Sequence, residues 1–168
     1  MKTLLAAASL ASVFALAPVA HADNGPTPGQ EITDLKPFAG SWQCTGKTKD
    51  GKNAASKLSI AAMSDLNGFW YELKFSADKA GDMPAFAGRA YLGFDSVNSK
   101  YYLTGVDNMG GWVVLVGALT MKVLDLSGQT DMGGHVTPFK FKFDASGKAN
   151  TLAFAYGPNG EMSHDCRK

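Results

Sequence analysis

Two cysteines, three histidines and a scatter of tyrosines, methionines and acids are the residues that could do chemistry in this chain. Cys44 and Cys166 could pair oxidatively, or join His164 and Asp165 in a metal site; the paired C-x-x-C spacing of such sites and a convincing fourth ligand are lacking. Asp107-Asn108-Met109-Gly110-Gly111-Trp112 and Thr130-Asp131-Met132-Gly133-Gly134-His135 share an acid, methionine, diglycine and aromatic pattern. Brought together, Met109, Asp131, Met132 and His135 would offer a mixed donor set suited to copper; the plainer reading is two glycine turns. Arg89 with Tyr71, Tyr91 and Tyr156 could receive a carboxylate. The segment GSWQCTGKT at 40–48 mimics a phosphate loop, but five residues separate its glycines where the loop needs four, and Asp50-Gly51 falls where a helix should start. No G-x-S-x-G, H-E-x-x-H or calcium-loop motif occurs, and no carboxylate pair or Ser/His/Asp set is supported by spacing. The expectation is a protein that binds rather than catalyses, without a cofactor.

Composition narrows the setting. The chain has 168 residues, 45% hydrophobic and 18% charged, with a formal charge of +1. That balance supplies no basic field for nucleic acid or anionic lipid and no acidic tail for a basic partner. Residues 1–22 read as a secretory signal: Met1-Lys2, an apolar run over 4–17, and the A-x-A site Ala20-His21-Ala22. The run is too short to span a bilayer and no later segment is long enough, so no membrane span is expected. Cleavage near Ala22 would release a periplasmic or secreted protein, and an oxidising compartment with two cysteines makes a Cys44–Cys166 disulfide the default.

Residues 23–34 are polar, hold two prolines and two glycines, and read as a flexible leader before a single domain over 35–168. From there, short alternating segments are punctuated by turn residues at 8–12-residue intervals, which argues for an all-β fold. Strands are expected at 41–49, 53–63, 69–76, 86–94, 101–108, 112–119, 122–130, 135–144, 151–156 and 161–167, with room for a helical turn within 31–38. Tight connections favour an antiparallel meander, and a sheet of about ten strands escapes its open edges by closing into an up-and-down barrel. The 19 glycines, all beyond residue 22, suit sharp turns and bent strands.

Gly40-Ser41-Trp42, opening the first strand after a short helical turn, resembles the G-x-W signature of lipocalins and the wider calycin group. Together with 35–42 (LKPFAGSW), 88–95 (GRAYLGFD) and 100–108 (KYYLTGVDN), it resembles a bacterial lipocalin-like family known as domain of unknown function 1579. That resemblance implies a barrel with an internal cavity and supplies no catalytic residues. Lipocalins place a late basic residue over the G-x-W tryptophan, and Arg167 is the nominal match.

An even strand number makes the first and last strands antiparallel neighbours. Pairing Cys44 with Cys166 then sets Gln43 opposite Arg167, which puts Arg167 on the face away from Trp42. The register and the lipocalin analogy cannot both hold there. The same register sets Gly46 opposite His164, pointing inward if Trp42 does. A haem-binding barrel resembling the nitrobindins, which use a late histidine, is one reading of His164; a buried structural histidine is the commoner one. Tyr71, Arg89, Tyr91, Tyr156 and His164 are the cavity candidates, although alternation alone does not say which face is inside. The expected function is an exported, monomeric barrel that binds a small apolar or amphipathic molecule. The alternatives are a solid barrel acting through a loop or edge, as inhibitors do, or a haem or metal protein using His164 or His135.

Overall fold

The computed structural model describes residues 26–48, 57–79, 84–131, 133–147, 150–157 and 160–168. The expected secretory signal at 1–22, the expected Asp50-Gly51 turn and Met132 lie outside the described residues. Ten strands follow in order: β1 Gly40–Thr48, β2 Lys57–Asp65, β3 Trp70–Ala77, β4 Phe86–Asp95, β5 Lys100–Asp107, β6 Trp112–Thr120, β7 Val123–Asp131, β8 Val136–Asp144, β9 Asn150–Tyr156 and β10 Gly160–Arg167. Each pairs antiparallel with its sequence neighbours and β1 pairs with β10, which closes the barrel and removes every edge.

Alternation then sorts the side chains. Inward positions in the half of the barrel near Trp42 carry large apolar groups, among them Ile60, Leu73, Leu92, Leu115, Leu124 and Phe143, all buried. That half is plugged from below by α1 (Gln30–Thr33) and a 3-10 turn at Lys36–Phe38. Ile32, Leu35 and Phe38 recur at helical spacing, and all three are buried. The expected leader at 23–34 therefore gives up its last residues to the domain: Gln30–Thr33 is helical, and the Tyr101 hydroxyl donates to the Glu31 carbonyl at 3.0 Å. Burial, with the nearby Asp34 and Glu31 carboxylates adding to it, pushes the Tyr101 phenol up to about 12, so it remains a donor.

Trp42 is the centre of this plug. Its Nε1 donates to the Phe38 carbonyl at 2.7 Å, and its ring meets Phe143 edge-on at 5.1 Å. Gly40, at φ +112°, makes the turn into β1 that an L side chain would resist. Arg167 pairs with Gln43 in register and is exposed, so it does not reach Trp42. Lys168 does: its Nζ lies 4.6 Å from the tryptophan ring centre and donates to the Pro37 carbonyl at 2.9 Å. Register and analogy are reconciled by one further residue at the carboxyl end.

The seam is closed covalently. Cys44 opposes Cys166 in the β1–β10 ladder and the two are bonded across 122 residues of sequence, with Gly46 opposite His164 two positions along. Both half-cystines are buried on the inward face. A loop of that length restricts the unfolded chain by roughly 4–5 kcal/mol in the entropy model, and about 2–4 kcal/mol is the usual yield. The Cys44→Ala/Cys166→Ala protein should therefore unfold at a lower urea midpoint, by about 2–4 kcal/mol. Thiol labelling of the unfolded but unreduced native protein should find no reactive cysteine.

Candidate functional site: an apolar cavity at the open end

The even strand count divides the connections between two ends. Those of β2–β3, β4–β5, β6–β7 and β8–β9 gather at the plugged end; those of β3–β4, β5–β6, β7–β8 and β9–β10 gather at the other, which no helix covers among the described residues. Five inward positions near this open end, Gly46, Ala77, Gly88, Ala90 and Gly105, are small. The small residues leave space. A cavity of about 470 Å³ opens there, within the range of small-molecule sites.

Register defines its depth. On β10 the lining includes Met162 and His164 but not Cys166; on β9, Tyr156 and Phe154 but not Leu152; on β8, Phe139 and Phe141 but not Phe143. The floor thus lies at the level of His164, one inward step above the disulfide. The walls are almost wholly apolar, with Leu58, Phe75, Leu103 and Val113 completing the ring.

Polar groups at the mouth are engaged in building its turns. The Asp107 carboxylate accepts from the Met109 and Gly111 backbones at 2.8 and 2.9 Å, and Asp131 accepts from Gly134 at 2.8 Å. The Thr130 hydroxyl donates to the Trp112 carbonyl at 2.9 Å. The repeated acid-and-diglycine pattern is thus a pair of side-chain-braced turns at one mouth. His135 is exposed and does not line the cavity. Among the described residues, no group of three or more His, Cys, Asp or Glu side chains is placed to hold a metal ion.

His164 is 2% exposed. Its Nε2–Cδ2 edge occupies the place that a side chain at position 46 would fill, so any residue larger than glycine there would overlap the ring. The Phe154 ring stands against it edge-on at 5.6 Å. Burial pulls the imidazole below the ordinary histidine value, and a hydrogen bond with the Leu152 backbone only partly opposes this, so the ring is neutral at pH 7.

The five cavity candidates separate. His164 and Tyr156 line the cavity. Tyr71 faces inward but sits below the floor, opposite Leu92 and buried. Tyr91 lies on the outer face, between Glu72 and Thr104 in register. Arg89 borders the cavity, yet its side chain is 70% exposed and points outward to Glu72, 3.7 Å away. The expectation that Tyr91 lines the cavity is corrected by parity, since the inward residues of β4 are 86, 88, 90, 92 and 94; Arg89, on the same outer set, reaches the cavity only at its border. Sequence reasoning also passed over Phe75, Phe86, Phe154 and Met162. Their alternation was visible, but not which face was enclosed.

A closed antiparallel barrel, plugged at one end by a short helix beneath a Gly-x-Trp strand and hollow at the other, is a lipocalin-like architecture. The chain belongs to the family described as protein of unknown function DUF1579, whose model matches residues 27–152. A search of curated proteins gave no match.

The depressed imidazole has a consequence for stability. In the unfolded chain His164 titrates near 6.5, above its folded value, so the unfolded state takes up the proton first as pH falls. The contribution is nil above about pH 6.5 and becomes destabilising below it. Urea midpoints should decline from pH 7.5 to 5, and the His164→Phe variant should show a shallower decline; identical slopes would show that the imidazole is not the group responsible.

Proposed function

We propose that this protein is an exported carrier or receptor that holds a small, predominantly apolar molecule in the barrel, and that it does so without catalysis. The observation that supports this most directly is the cavity itself: about 470 Å³, open at one end and walled by aliphatic and aromatic side chains. Burying an apolar ligand of that size removes water from both surfaces at roughly 25 cal/mol per Å², enough for micromolar binding when the walls are preformed. The barrel backbone, closed on itself and braced at the seam, makes them so.

A periplasmic or secreted site of action accords with the disulfide and with the signal-like residues 1–22. No helix of the described residues is long and apolar enough to cross a membrane.

Titration with N-phenyl-1-naphthylamine, an uncharged probe that brightens in apolar surroundings, should reveal one saturable site. Ala77→Trp, which places an indole at the mouth of the cavity, should weaken that binding at least tenfold with little change in unfolding midpoint. Native mass spectrometry of protein recovered from its own exporting cells should show a retained small molecule. A probe that fails to saturate, or that binds the Ala77→Trp protein equally well, would remove the carrier reading.

A further inference from the structure

An antiparallel strand with one face in the core and one in water alternates apolar with polar residues. β6 breaks that rule. Its outward residues Trp112, Val114, Val116 and Ala118 are as apolar as its inward ones, Val113, Leu115 and Leu119. On the adjoining β5 the outward residues Tyr102, Thr104 and Val106 add no charge. Val106 is 65% exposed and Val116 44%. The opposite wall is of the ordinary kind, with Lys140 and Lys142 on β8 and Asp165 and Arg167 on β10 exposed. The apolar strip is therefore confined to one side of the barrel, the kind of patch that marks a contact surface.

From this we infer that the outward face of β5 and β6 is the contact surface of a twofold dimer, its occupant a second copy of this chain, in place of the monomer expected from the sequence. The inference does not rest on the carrier reading. What favours a second copy is the charge on either flank of the strip. Register sets Arg89, Val106, Trp112 and Asp131 in one row across β4, β5, β6 and β7. Arg89 has a side chain 70% exposed, while β7 presents Asp125 and Asp131 and no basic residue among its outward positions. The acid at the far end of β4, Asp95, accepts from the Val97 and Asn98 backbones of its own turn.

A twofold axis parallel to the strands, between β5 and β6, lays β4 of one copy against β7 of the other. The row then meets itself reversed: Val106 faces Trp112 of the second copy, and the basic flank faces the acidic one. The next row, Tyr91, Thr104, Val114 and Gln129, is uncharged throughout. Strands of eight to ten residues, at about 4.8 Å spacing and about 3.4 Å per residue, offer at most roughly 600 Å² per copy. Doubled, that is the lower edge of a specific interface, and the wall curves away from the contact, so the dimer is a weak one with a micromolar dissociation constant. The open ends emerge on the same side, and Val106 and Trp112 belong both to the contact and to the cavity rim.

Sedimentation equilibrium of the disulfide-bonded protein, from a few micromolar to several hundred micromolar, should show the average mass rising from one chain to two. Val116→Glu, at an outward position that the core does not use, should weaken the dimer at least about tenfold with the urea midpoint unchanged. Lys140→Glu on the opposite wall should leave it as it is. Thr104→Cys, close to the axis, should give a covalent dimer on mild oxidation where Ser163→Cys on β10 does not, a readout that stands even if Val116→Glu fails to fold. A monomer at every concentration, a dimer indifferent to Val116→Glu, or equal cross-linking through the two introduced cysteines would overturn the inference. So would a monomer that co-sediments with phosphatidylcholine vesicles and loses that binding in Val116→Glu, because the occupant of the strip would then be a lipid surface.

Discussion

A closed sheet has one place where sequence neighbours do not pair, and the register chosen there governs every inward side chain. In this barrel the place is the β1–β10 ladder, and the Cys44–Cys166 disulfide fixes its register. Because side chains alternate with period two, a slip of one residue would turn β10 inside out relative to β1. Trp42 against the plug, Cys44 at mid-height and His164 opposite Gly46 are then three readings of a single constraint. Lys168 is a fourth: it reaches the tryptophan ring because the strand before it ends with Arg167 facing outward.

The two halves of the barrel divide labour by side-chain volume. Near Trp42 the inward positions are large, and the aromatic contacts of Trp42, Phe38 and Phe143 at 5.1–5.2 Å fill the lumen. Near the open end Gly46, Ala77, Gly88, Ala90 and Gly105 stand among the aromatic walls, and the space they leave becomes the cavity. Stability is drawn from the plugged half, where close packing is worth most. The open half can remain hollow because closure of the ladder and braced turns hold its shape without a packed interior.

Burial gives the imidazole its character. Exposed, a histidine would titrate near neutrality and bring charge into the lumen; enclosed against Phe154 and Gly46, its value is lowered by burial and it is held neutral. The glycine opposite is part of that arrangement, since a Cβ at position 46 would occupy the ring's own space.

Much of this was legible in the sequence. Turn residues at short intervals and period-two alternation determined the strands and the closed meander, and pairing of the cysteines determined the seam register and the placing of His164 opposite Gly46. These are local or parity properties, fixed by the period of the strand and the count of turns. What the sequence left undecided was which alternating set is enclosed, because both faces carry aromatics: Tyr91 and Tyr102 stand outside, Phe139 and Phe154 inside. Tyr91 was misplaced for that reason. Nor could it show that Ile32 and Leu35 would plug one end, that Lys168 and not Arg167 would cap Trp42, or that the open half is hollow. Those depend on summing side-chain volumes across ten strands at each level of the barrel, and only the closed tertiary structure brings those side chains to one level.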